Sequence, residues 1–105
     1  MKYENNLSPA QLNYQLLVGL KKHLIIAETT SNSKSVRLTS LNNISEVLEF
    51  VIENLNNSLN DKEMVLLDRF FRFLLTKVVK AKIYIHSEPV KFADEIGYIN
   101  ILMQI

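Results

Sequence analysis

The sequence predicts an all-α protein folded as an antiparallel up-down four-helix bundle, and three observations lead there. The chain has 105 residues, 48% of them hydrophobic, enough for one modest core and a single domain over 1–105. It holds two glycines and two prolines, too few for the Gly-containing turns of a compact β-domain. Its apolar residues recur at three- and four-residue spacing in four blocks, with polar clusters between them.

The first helix is expected over 9–28. Ser8 and Gln11 form a capping-box pattern, Pro9 falls at the first helical position, and Leu7 and Leu12 can clasp across the cap. At 100° per residue, Leu12, Leu16, Leu20, Leu24 and Ala27 share a face, with Leu17 at its edge. The polar run Thr29-Thr30-Ser31-Asn32-Ser33 then reads as a loop.

A second helix is expected over 34–56, with Leu41, Ile44, Leu48, Val51, Ile52 and Leu55 inward and Glu46, Glu49 and Glu53 outward. The third, over 61–84, opens on an Asn60/Glu63 capping box and carries Met64, Leu67, Phe71, Leu74, Val78 and Ala81 as its core stripe. The fourth is expected over 88–104, starting at Ser87-Glu88-Pro89 and packing through Val90, Ala93, Ile96, Gly97 and Ile101. The triplet Ile83-Tyr84-Ile85 admits a short strand instead.

Catalysis and cofactors find no support in the pattern. With no cysteine there is no disulfide framework, thiolate metal site or cysteine nucleophile. Gly19 and Gly97 stand too far apart for a phosphate-cradling loop or a dinucleotide fingerprint. His23 falls on the core side of the first helix and His86 in the last loop, and neither has a second ligand at metal-binding spacing. Asp94 and Glu95 are adjacent, so they diverge by about 100° on a helix and do not form an acid–base pair. The expectation is a non-enzyme with no catalytic residue, no cofactor and no metal. The net charge of +1 gives no reason to expect nucleic acid or an anionic membrane as partner. The N-terminus has neither a signal core nor an Arg-rich amphipathic pattern, so a cytoplasmic location is expected.

The anomaly is apolar residues on the wrong faces. Tyr14, Val18 and Ile25 lie opposite the leucine stripe of the first helix. Val47 and Phe50 sit toward the glutamate side of the second. On the third, Leu66, Phe73 and Tyr84 align with Arg69, Arg72 and Lys80, and Lys77 flanks them. A crowded small bundle produces such stripes, and so does homodimer formation. A grooved surface that accepts an amphipathic segment produces them too. In that last reading Tyr14, Val18, Ile25, Val47, Phe50, Leu66, Arg69, Arg72, Phe73 and Lys80 are the partner-binding residues, with Phe73, Phe50 and Tyr14 as anchors.

Ser8-Pro9, Leu12, Leu16 and Gly19, together with the segment Leu67-Asp68-Arg69-Phe70-Phe71-Arg72-Phe73-Leu74-Leu75-Thr76-Lys77-Val78-Val79-Lys80-Ala81, resemble the flagellar secretion chaperone family FliS. The order of capped helix, polar loop, two long helices and a terminal helix agrees over nearly the whole chain. The resemblance implies a four-helix-bundle chaperone in the cytoplasm that binds the C-terminal segment of flagellin. It implies that the chaperone prevents premature polymerisation and helps deliver flagellin to the type III export gate. The family's motif tyrosines are replaced by Phe71 and Phe73, only Tyr3 precedes the Ser-Pro pair, and the segment Ile99-Asn100-Ile101-Leu102-Met103-Gln104-Ile105 is more apolar than the family's tail. A chaperone or scaffold for another type III secretion client, or a self-associating helical regulator, stays open, and so does the choice between a monomer and a weak homodimer.

Overall fold

The computed structural model describes residues 9–55, 62–87 and 90–104, with backbone alone at 9–13, 55 and 62–64. Four α-helices make up the described fold: α1 (Pro9–Glu28), α2 (Lys34–Leu55), α3 (Lys62–Ile83) and α4 (Ala93–Met103). Among the described residues there is no strand, and Ile83 to Ile85 pass from the last turn of α3 into a turn rather than into a strand.

Connection length dictates direction. α2 packs against both α1 and α3. Each of these helices is about 30–33 Å long, whereas the five residues 29–33 reach at most about 18 Å. A helix joined by so short a link and packed beside its predecessor must run back along it. α4 runs antiparallel to α3, since Lys77 meets Glu95 near one end of α4 and Phe70 meets Tyr98 further along it. α4 also packs on α1.

The polar loop caps both of its helices. The Ser33 hydroxyl accepts from the Val36 N–H at 3.2 Å, an N-cap for α2. The Asn32 side-chain amide donates to the Ile26 carbonyl at 3.0 Å, and the Thr29 hydroxyl donates to that of Ile25 at 2.6 Å. These occupy carbonyls that the end of α1 would otherwise leave without a partner. The expected caps at Ser8/Gln11, Leu7/Leu12 and Asn60/Glu63 lie outside the described residues, as do the side chains of Leu12, Leu55 and Met64.

One continuous core joins Leu20, Leu24 and Ala27 of α1, Leu41, Ile44, Leu48 and Ile52 of α2, and Phe71, Leu74, Val78 and Ala81 of α3. Phe92 and Ile99 complete it from the α4 side. Ser45 is buried on α2 and donates to the Leu41 carbonyl one turn back at 3.1 Å, which satisfies its hydroxyl.

The fourth helix departs from expectation. It begins at Ala93 rather than 88, and it turns Ala93, Gly97 and Ile101 outward instead of inward. The inward residues are Glu95 and Ile99, with Phe92 buried just before the first turn. Phe92 enters the core from a non-helical segment, so the helix starts only after this anchor is placed. Glu95 is the reason the stripe is hard to see in the sequence. Its carboxylate is buried, yet it accepts from the Lys77 ammonium at 2.7 Å. That ammonium also lies 5.2 Å from the centre of the Phe92 ring.

No helix among the described residues is long and apolar enough to cross a membrane.

Candidate functional site

The side chains that define the site are apolar groups left outside a core already filled. On α1, Tyr14, Val18 and Ile25 are exposed. Val18 and Ile25, with Lys21, Lys22 and Ile26, line an open recess of about 500 Å³ on that helix. On α3, Leu66 and Phe73 are exposed, Phe73 to 60%, and the exposed Tyr84 follows in the turn after it. Both rows follow from helical phase: the core takes one side of each helix, and these residues repeat on another.

The cations of α3 divide into two groups. Arg69 and Lys80 are exposed beside the apolar row. Arg72 is tied to its own helix, its Nε donating to the Asp68 carboxylate at 2.8 Å, one turn away. Asp68 is buried, so this pair satisfies one carboxylate oxygen of a group that would otherwise be costly to bury. Lys77 serves Glu95 and Phe92, which makes it part of the packing.

The α2 residues separate as well. Val47 packs against the core, and Phe50 is half-buried, so neither stands out from the surface as Phe73 does. The outer face of α2 is formed instead by the exposed Glu46, Glu49 and Glu53. Of the ten residues expected to bind a partner, the structure places Tyr14, Val18 and Ile25 together on α1 and Leu66, Arg69, Phe73 and Lys80 together on α3. Sequence reasoning missed Tyr98 and Ile101 on α4, both exposed. Apolar residues occur on every side of α4 and its inward row contains Glu95, so its phase does not stand out in the sequence.

At the opposite side of the site's chemistry lies Arg37, in the first turn of α2 and only 8% exposed. It borders a cavity of about 10 Å³, together with Ala27, Leu41, Ala81, Tyr84, Ile85, Val90 and Phe92. The cation therefore sits where α1 and α3 end, next to the partial negative charge of two helix C-termini. Its Nε has no hydrogen-bond partner among the described residues.

His23 is half-buried on α1, and its Nδ1 has no partner among the described residues. Burial lowers its pKa below 6.5, and the charge of Lys22 adds to the effect. The folded state thus binds the His23 proton less readily than the unfolded chain. Stability contributed here is full above about pH 6.5 and falls as the pH drops from there toward the folded-state value. Melting curves at pH 7.5 and 5.5 are expected to show a lower Tm at the acid end, and His23→Gln is expected to narrow the difference. An unchanged difference in the variant assigns the pH dependence elsewhere.

Among the described residues, no group of three or more His, Cys, Asp or Glu side chains is placed to hold a metal ion. Two exposed apolar rows, on α1 and α3, stand beside exposed lysines and an arginine, on helices that share one core. No protein-family model matches the chain, and neither a curated protein nor a solved structure matches it significantly.

Proposed function

We propose that the chain is a cytoplasmic export chaperone that binds the C-terminal segment of flagellin, prevents its premature polymerisation and assists its delivery to the flagellar type III secretion apparatus. The reading starts from the likeness of the 8–19 and 67–81 segments to the FliS family. One observation carries it further: apolar rows on α1 and α3 stay exposed although the core is complete without them. Large apolar side chains left exposed beside a complete core fit an interaction face. The bundle acts by binding alone, without catalytic chemistry.

The mechanism is competition for one stripe. A client segment that packs in a helical assembly is amphipathic and self-associates through its apolar face. The chaperone buries that face against its own rows, at about 25 cal/mol per Å² of apolar area. Ordering the client takes back much of this gain, so affinity rests on a few aromatic anchors and on charge steering by exposed cations. The export gate is the second partner in this scheme.

Calorimetric titration with the C-terminal segment of the host's flagellin tests the reading. A one-to-one complex of micromolar affinity or tighter, with a gain of helix in the client, is expected. Phe73→Ala is expected to weaken that complex by about tenfold or more while leaving the Tm nearly unchanged, because the ring is 60% exposed and contributes little to the core. Absence of binding by the wild-type chain overturns the flagellin assignment and turns the search to other exported subunits.

A further inference from the structure

We infer that the crevice between α3 and α4 is the docking groove for an acidic amphipathic helix of a partner protein. This deepens the chaperone reading and rests on it: it assigns the client's seat and the chemistry that seat selects.

Two contacts fix how the helices face each other. The Lys77–Glu95 ion pair and the Phe70–Tyr98 ring pair, whose centroids are 4.3 Å apart, place α4 against the 70/77 side of α3. At 100° per residue, Leu66 and Phe73 lie about 40° and 60° outward from Phe70, along the α4 edge of α3. On α4, Ile101 lies about 60° outward from Tyr98. The exposed apolar groups of the two helices therefore flank one crevice, with the Phe70–Tyr98 pair as its floor. Ile101 is 59% exposed, and the register of the two contacts sets it opposite the Leu66–Phe70 turn of α3. Gly97 and Ala93 are exposed on α4, and the space around Gly97 is open, so a neighbouring backbone can approach closely.

Charge decides the occupant. Arg69 and Lys80 are exposed along the α3 edge, slightly further outward than the apolar row. Asp94, in the first turn of α4, is the exposed acid on the other edge among the described residues. A second copy docked about a two-fold axis across the crevice sets the two Arg69–Lys80 edges against each other, and one docked about an axis along it offers those cations Asp94 alone among the described residues. A helix with an apolar stripe and carboxylates on its flank meets both the aromatic row and its cations. α4 walls the crevice over its 11 residues, about 16 Å or three helical turns. The anchors of such a ligand fall at i, i+3, i+4 and i+7.

The test uses the intact chain and three variants, Ile101→Glu, Lys80→Glu and Val36→Glu, each first checked for an unchanged helical melt. Titration with the flagellin C-terminal segment is expected to show at least tenfold weaker binding for Ile101→Glu and Lys80→Glu. Val36→Glu, at an exposed position on α2 outside both rows, is expected to bind within twofold of wild type. If wild type binds and both groove variants bind equally well, the groove assignment is overturned and the chaperone reading stands. If wild type does not bind flagellin, a synthetic amphipathic peptide with glutamates beside a leucine stripe replaces it as probe. Binding of that peptide, lost in Ile101→Glu, supports the groove although the client was wrong, and no binding overturns the groove too. Concentration-dependent self-association that Ile101→Glu abolishes also overturns it, in favour of a second copy as occupant.

Discussion

Leu74→Ala is expected to remove about 2–5 kcal/mol of folding stability, read as a shift of the urea midpoint at constant slope. Leu74 is fully buried in the middle of α3, in the core shared by all four helices. Truncation deletes its transfer free energy and leaves a void that three close-packed helices cannot collapse around. Alanine is the better helix former, so the loss cannot be attributed to helix propensity. A domain of this size has a total stability of about 5–15 kcal/mol, so the variant sits near its unfolding threshold at 37 °C. A loss below about 1 kcal/mol contradicts the phase assigned to α3, and with it the placing of Phe73 on the outside.

Lys77→Met is expected to cost about 3 kcal/mol. Glu95 keeps only 8% of its side-chain surface accessible, and its described counter-charge is Lys77 at 2.7 Å. Removing the cation leaves a carboxylate buried among apolar groups, which costs more than the intact pair ever contributed. The figure belongs at the lower end of the range for buried pairs because the Lys77 side chain is 28% accessible, so water already screens the interaction. The double variant Lys77→Met/Glu95→Leu removes both charges and is expected to recover most of the loss. Equal instability of the single and double variants would mean that the ammonium's seat on Phe92, rather than the ion pair, holds α4 in place.

This pair also explains which parts of the fold were legible in the sequence. In α1, α2 and α3, the stripes Leu16/Leu20/Leu24, Leu41/Ile44/Leu48 and Phe71/Leu74/Val78 are buried as periodicity predicts. They are legible because each repeats at helical spacing with no charged residue among its members. In α4 that condition fails. Its apolar residues occur on every side, and the true inward row, Phe92, Glu95 and Ile99, contains an acid. A carboxylate reads as surface unless its partner is known, and Lys77 lies 18 positions away on another helix. The same limit applied to the site. Exposed rows on α1 and α3 follow from phase within one helix, whereas the crevice depends on which side of α3 receives α4. Val47 and Phe50 show the converse error: angle alone put them on the outer side, and the width of the packed interface takes Val47 into the core contacts.

The short fourth helix has a consequence for the order of assembly. α1, α2 and α3 pack as sequence neighbours, so their contacts close small loops and form early in folding. α4 must instead return to the first helix, where the Phe92 N–H meets the Glu28 carboxylate across 64 positions. Eleven residues make it the smallest helix to nucleate alone, and its docking awaits the surface that the other three create. One wall of the crevice is thus the last part of the molecule to arrive. A partner seated there distinguishes the finished fold from its own folding intermediates, and by mass action it holds the late-arriving helix in place.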